Sequence, residues 1–135
     1  DTMTSQGFVV LLTGAAADAG IAQKILSRTK TKPLCLVAKT DLMQLAALIQ
    51  RCAVYVTADS APLHIAAAMK TPFVALFGPT DARRHLPPAD AYRVLQKGCS
   101  PCYKDTCPQN SHRCMEAITV QDVAAAVETL IKSSA

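Results

Sequence analysis

Tryptophan is absent, and the aromatic content is limited to three phenylalanines and three tyrosines. Long apolar runs are missing too. The strongest, Phe8–Leu12 and Phe73–Phe77, fall far short of the ~18 residues a membrane-spanning helix needs, which excludes such a span. Strong charge of either sign is lacking: Lys+Arg 14 against Asp+Glu 10 gives a net +4. That balance permits anionic ligands without indicating nucleic acid. No internal repeat, low-complexity tract or basic-then-apolar leader is visible in the sequence as read. What is present is a chain of 135 residues with mean hydropathy +0.20, rich in Val, Leu, Ile and Ala, which excludes a disordered polypeptide. Its length fits one compact domain, residues 1–135. The odd entry is six cysteines, four of them between Cys99 and Cys114.

The hydrophobic pattern alternates between two periods. Phe8–Leu12 is a continuous apolar, β-branched run ended by Thr13-Gly14 and predicts a strand buried on both faces. Asp18–Thr29 then carries Ile21, Ile25 and Leu26 at helical spacing. Leu34–Val37 predicts a second strand. Asp41 stands as an N-cap before Leu42, Leu45, Ala46 and Ile49. Ala53–Thr57, Ala61–Met69 and Phe73–Phe77 read as strand, short helix and strand. Beyond Gly78, prolines 79, 87, 88, 101 and 108 predict a long irregular segment, with residues 96–116 rich in Cys and Pro. Thr119 caps a last helix carrying Val120, Val123, Val127, Leu130 and Ile131. This alternation predicts an α/β fold, a Rossmann-like parallel sheet with helices on both faces. Right-handed crossovers then collect the strand-to-helix loops on one edge, where ligands bind.

The most informative of those loops is Thr57-Ala58-Asp59-Ser60-Ala61-Pro62-Leu63-His64. A strand ends and a helix begins within a few residues. Asp59 or Ser60 can cap the helix, and Pro62 is tolerated in a first turn that has no use for its N–H. Free amides and the positive helix end suit a phosphate or diphosphate, with Ser60 and His64 on one helical face. The alternative is structural: two caps and a buried histidine.

Asp-Ser-x-Pro-x-His-x-Ala-Ala-Ala at Asp59–Ala68, followed by Thr71-Pro72-Phe73-Val74-Ala75-Leu76-Phe77-Gly78-Pro79-Thr80, resembles the core of glycosyltransferase family 9, the bacterial heptosyltransferases of lipopolysaccharide core assembly. Gly14, Lys39-Thr40-Asp41-Leu42, the Cys-x-Pro-Cys segment and Cys114-Met115 are similar to it as well, the last features most to the heptosyltransferase II branch. The resemblance runs from about Phe8 to Ile131. It implies the C-terminal half of a two-domain GT-B enzyme, a nucleotide-sugar-binding domain for ADP-heptose. Asp59 then holds the sugar, with Ser60, Ala61 and His64 near the diphosphate, Lys39 and Thr40 by the adenine, and Asp18 nearest to the carboxylate that binds the ribose. The resemblance further implies a cytoplasmic location, peripheral to the inner face of the inner membrane, and no cofactor, metal or nucleic-acid partner. An inverting transfer needs a base to deprotonate the acceptor and donors to stabilise the departing diphosphate. The family's base, an aspartate, and its acceptor site for the lipopolysaccharide core belong to the N-terminal domain, so the isolated chain is expected to be inactive.

Arg83, Arg84 and His85 follow at the same edge and could meet an anionic acceptor or form a solvated basic loop, while Thr80 and Asp81 read as turn chemistry. Cys99, Cys102, Cys107 and Cys114 leave three readings open: a structural zinc site, disulfides, or reduced thiols. Cys35 and Cys52 read as small core residues. Two further functions compete: a zinc-stabilised α/β module binding nucleic acid or protein through Lys97, Lys104 and Arg113, and another GT-B nucleotide-sugar enzyme such as an epimerase.

Overall fold

The computed structural model describes residues 1–134. Strands and helices alternate along the chain as α1 (Thr2–Ser5), β1 (Leu11–Leu12), α2 (Ala19–Arg28), β2 (Leu34–Cys35), α3 (Leu42–Gln50), β3 (Tyr55–Ala58), α4 (Ala61–Ala68), β4 (Phe73–Phe77), α5 (Ala82–His85), β5 (Tyr92–Gln96), α6 (Arg113–Glu116) and α7 (Val120–Ser134). A 3-10 turn, Ala16–Asp18, precedes α2. Every strand pairing among the described residues is parallel, the α/β class that the alternation predicts. The strands form two ladders, β1-β2 and β3-β4-β5, and the chain divides into two compact units, Asp1–Leu45 and Ala46–Ala135.

In the first unit Leu11 pairs with Leu34 and Leu12 with Cys35. The Leu34 amide donates to Val10 O at 2.9 Å and the Leu36 amide to Leu12 O at 2.8 Å, continuing the ladder at both ends. The expectation of a strand buried on both faces is not met here: Val9 is 84% exposed and Leu34 is exposed too. With a single neighbouring strand among the described residues, β1 has apolar side chains but few partners to bury them. For the same reason Ile21 and Ile25 lie exposed on α2, and Ala22 is the residue that helix buries.

The second unit holds the larger core. Phe73, Val74, Ala75 and Phe77 of β4 are buried together with Ile49, Leu63, Ala66 and Leu130, and α4 and α7 both pack on this central strand. Removing a large apolar side chain such as Phe from water contributes about 1.5–3 kcal/mol, so the two phenylalanines alone anchor β4. Phe73 also stacks on Tyr92 across the ladder, with ring centroids 5.8 Å apart and 17° between planes. The buried Thr71 hydroxyl donates to Ile49 O at 3.0 Å and ties the end of α3 to the start of β4.

Two helix starts form as the sequence predicts. Asp41 Oδ1 accepts from the Gln44 amide at 2.8 Å while Gln44 Oε1 accepts from the Asp41 amide at 3.0 Å, a reciprocal capping box. Thr119 and Asp122 do the same at α7, with Thr119 Oγ1 accepting from the Asp122 amide at 3.1 Å and Asp122 Oδ2 accepting from the Thr119 amide at 2.8 Å. Val120, placed on the apolar stripe by the sequence, is 66% exposed at the helix start, whereas Val127 and Leu130 are buried.

The irregular segment expected after Gly78 contains a strand. β5 pairs along its whole length with β4, from Tyr92 opposite Phe73 to Gln96 opposite Phe77, and α5 and α6 flank it in sequence. Prolines surround β5 without interrupting it, and the backbone of the exposed Arg93 stays in the ladder.

Candidate functional site

In each ladder the strands run parallel, so their carboxyl ends share an edge. In the first unit that edge is made by the Gly14 loop after β1 and the Ala38–Thr40 turn after β2. Ala38 takes a left-handed conformation, φ 60°, and its amide donates to Gly14 O at 2.9 Å, joining the two. Asp18, the residue set against ribose, uses Oδ2 to accept the Ala15 amide at 2.8 Å. A Cβ on Gly14 would stand 2.9 Å from that oxygen, so glycine lets the carboxylate fold back over the loop. Lys39 Nζ donates to Cys35 O at 3.0 Å, and Thr40 is half-buried ahead of the Asp41 cap. Asp18 and Lys39–Thr40 thus share one edge.

In the second unit the edge gathers the Asp59–His64 turn after β3, the Gly78–Asp81 turn after β4 and the segment following β5. Ser60 occupies the N-cap position of α4 in extended geometry, φ −162° and ψ 172°, but its side chain caps nothing. Ser60 Oγ donates instead to Ala58 O at 3.3 Å and approaches Thr57 Oγ1 at 3.5 Å. The expectation that Ser60 caps the helix is thereby corrected. A short side chain bent back onto the strand cannot reach the amides of the first turn. Pro62 brings no N–H to that turn, and the Leu63 amide donates to Ser60 O at 2.9 Å. The positive end of α4 is left without a side-chain cap, beside the half-buried Asp59 and the exposed Ala61. His64 is exposed, which overturns the buried-histidine reading. Leu63 and Ala66 take the buried positions of α4 and leave His64 facing outward.

The turn after β4 is held by residues that the sequence reading does not single out. Gln96 Nε2 donates to Thr80 O at 2.9 Å and to Ser100 Oγ at 2.6 Å, and Ser100 Oγ donates to Gly78 O. Pro79 O accepts from the Cys102 amide at 2.9 Å and the Tyr103 amide at 2.8 Å, and Tyr103 Oη accepts the Asp81 amide at 3.3 Å. Residues 96–103 therefore strap the β4 turn from end to end. A sequence signal existed in Tyr92-Arg93-Val94-Leu95, a strand-forming run between Asp90 and Gly98. Asp81 is buried and caps α5 by accepting the Arg83 amide at 3.0 Å, as its turn role predicts. Arg83 pairs with it, Nη2 to Oδ2 at 2.8 Å, and this hydrogen-bonded guanidinium holds the Asp81 carboxyl below the usual carboxylate range.

All six cysteines are free thiols, with Cys114 buried and Cys99 exposed. Cys35 and Cys52 are half-buried, and burial pushes the Cys52 thiol up. The backbone amides of His112, Gln109, Ser111 and Asn110 donate to Cys107 and lower its pKa. Among the described residues no three His, Cys, Asp or Glu side chains converge on a possible metal position.

Parallel ladders with flanking helices, and short turns at the strand carboxyl ends, define a Rossmann-like α/β class of domain. The family model for glycosyltransferase family 9 (heptosyltransferase) matches residues 1–112, and the chain belongs to that family. It is 33% identical over 135 residues to lipooligosaccharide heptosyltransferase 2 of Campylobacter jejuni (strain 81116), covering 93% of this chain and 42% of that protein. To lipopolysaccharide heptosyltransferase 2 of Escherichia coli K12 it is 31% identical, covering 96% of this chain and 39% of that protein. Two solved structures share the fold: a family 9 glycosyl transferase from Veillonella parvula, with TM-score 0.87 and 27% identity, and E. coli ADP-heptose lps heptosyltransferase II, with TM-score 0.83 and 29% identity. Each match covers 98% of this chain and 39% of the solved chain. The chain thus spans about two-fifths of the length of these relatives.

Proposed function

We propose that this chain is the donor-binding part of an inverting glycosyltransferase that moves heptose from ADP-heptose onto the inner core of lipopolysaccharide. The observation that carries the reading is the Asp59–His64 turn, where an α-helix starts at the ligand edge without a side-chain cap, in a chain of a family whose members transfer heptose. The uncapped amides and the helix dipole suit a diphosphate. His64 adds an exposed donor one turn along, Asp59 is set to hold the sugar hydroxyls, and Ala61 approaches through its backbone. In the first unit the Lys39–Thr40 turn offers backbone groups to the adenine, and Asp18 offers its second carboxylate oxygen to the ribose.

In the transfer the acceptor oxygen attacks the anomeric carbon and the bond to the diphosphate breaks. A base takes the acceptor proton, and ADP leaves with the bonding electrons. This chain supplies leaving-group stabilisation. The base and the acceptor-binding surface are assigned to the part of the enzyme that this chain does not span, so the chain alone transfers no sugar. The enzyme works in the cytoplasm, at the inner face of the inner membrane. No described helix is long and apolar enough to cross a bilayer.

Thermal denaturation with added ADP tests the reading. A ligand at about a hundredfold over its Kd stabilises the folded state by about 2.7 kcal/mol, which raises the Tm by several degrees. His64→Ala, at an exposed position, should leave the Tm of the free chain unchanged and reduce the ADP shift. No ADP shift at millimolar nucleotide, or equal shifts with UDP and GDP, would refute the proposal.

A further inference from the structure

Three successive carbonyls of the turn after β4 are bonded by one segment. Gly78 O accepts from Ser100 Oγ, and Pro79 O accepts from the Cys102 and Tyr103 amides at 2.9 and 2.8 Å. Thr80 O accepts from Gln96 Nε2 at 2.9 Å. Gln96 Nε2 also donates to Ser100 Oγ at 2.6 Å, so one side-chain amide holds the last carbonyl directly and the first through Ser100. The Thr80 hydroxyl is buried without a hydrogen-bond partner among the described residues, so Thr80 is tied to the strap by its carbonyl. Gln96 is itself set in β5, opposite Phe77. Ala58 pairs with Leu76 in the same parallel sheet, and neighbouring strands lie about 4.8 Å apart. The Asp59–His64 turn therefore leaves β3 beside the point where Gly78 leaves β4.

We propose that Gln96 is a positioning residue for diphosphate binding: it keeps the carbonyls of the β4 turn on the strap, so that their negative ends do not face the anion. The inference rests on the donor-binding reading above and adds to it a residue that acts through the backbone of Gly78–Thr80 rather than by touching the ligand. Backbone anion sites are built from N–H groups. A carbonyl oxygen is an acceptor only, and a free one beside such a site repels phosphate oxygens. A carbonyl that already accepts from a protein donor has that negative end compensated. Gln96 does this with a neutral amide, so it adds no charge of its own to the edge.

The test compares Gln96→Met, which keeps the side chain neutral and of similar length but removes both donors, with Thr71→Val. The second variant breaks the buried bond to Ile49 O at the other end of β4. Titration calorimetry with ADP and with inorganic pyrophosphate is run at a temperature where melting curves show each variant folded. Gln96→Met should weaken the binding of both anions about fivefold, the equivalent of one hydrogen bond's net worth. Thr71→Val should lower the Tm without moving either affinity. Ser100→Ala frees Gly78 O, should weaken both anions as well, and decides by the same criterion if Gln96→Met does not fold. Wild-type affinity for both anions in Gln96→Met overturns the proposal. So does an equal loss in Thr71→Val, which marks general destabilisation. If pyrophosphate binds with the Gln96 dependence while ADP does not bind, the donor reading falls and the positioning role stands. If ADP binds the wild type and Gln96→Met equally, the positioning role alone falls. If neither anion binds the wild type, both fall.

Discussion

The Gln96 side-chain amide bridges Thr80 O and Ser100 Oγ, at 2.9 and 2.6 Å. One residue at the end of β5 thereby fixes both the turn after β4 and the start of the Cys/Pro segment. Gln96→Ala removes one donor from the Thr80 carbonyl and one from the Ser100 hydroxyl, a loss of about 1 kcal/mol for each bond. The chain should unfold at lower urea, and the Cys102 and Tyr103 amides should exchange faster with solvent. Unchanged exchange at both amides would show that the strap does not depend on Gln96.

Gly98 should tolerate no side chain. It sits at φ +69°, and an added Cβ would meet Arg113 O at 2.9 Å, a backbone atom that cannot turn aside. Strain of this kind costs on the order of 1–3 kcal/mol. Gly78→Ala should be milder, because its Cβ would meet the flexible Met115 side chain, with Sδ at 2.8 Å. Equilibrium urea unfolding should rank Gly98→Ala as the less stable of the two.

Stability should depend on pH through Asp122. Hydrogen bonds from the Lys97 ammonium, then from the Thr119 hydroxyl and amide, hold its carboxyl far below the usual carboxylate range. A carboxyl with a depressed pKa in the folded state contributes stability above its unfolded pKa, near 4, and loses it as pH falls toward the folded value. Asp122→Asn should therefore lower the Tm at pH 7. The gap to wild type should narrow steadily below about pH 4. A gap that stays constant down to pH 2 would exclude the ion pair as its cause.

Cys107 should be the most reactive thiol of its segment near neutral pH. Backbone amides, that of His112 foremost, favour its thiolate, and the thiolate is the species that alkylates. Iodoacetamide labelling followed by peptide mass spectrometry should place Cys107 ahead of the exposed Cys99, with the buried Cys114 last. Equal rates at Cys107 and Cys99 would contradict this order.

The parallel α/β class was legible because apolar runs of strand length alternate with amphipathic stretches, and this pattern depends on local periodicity alone. The Asp41 and Thr119 caps were legible for a similar reason, since a capping box is a contact across three residues. The Asp59–His64 turn could be found as a strand end followed by a helix start with proline in its first turn. The direction of the Ser60 hydroxyl could not. It is settled by competition between the amides of α4 and the carbonyl of Ala58, two partners equally close in sequence.

By itself the sequence determined the class of fold and the family, both of which follow from short-range pattern and motif. Tertiary structure decided that the strand-forming run Tyr92–Gln96 joins the sheet, since its hydrogen bonds go to β4, some twenty residues earlier. It also decided that residues 96–103 strap the Gly78–Asp81 turn. These outcomes depend on which groups meet across long loops.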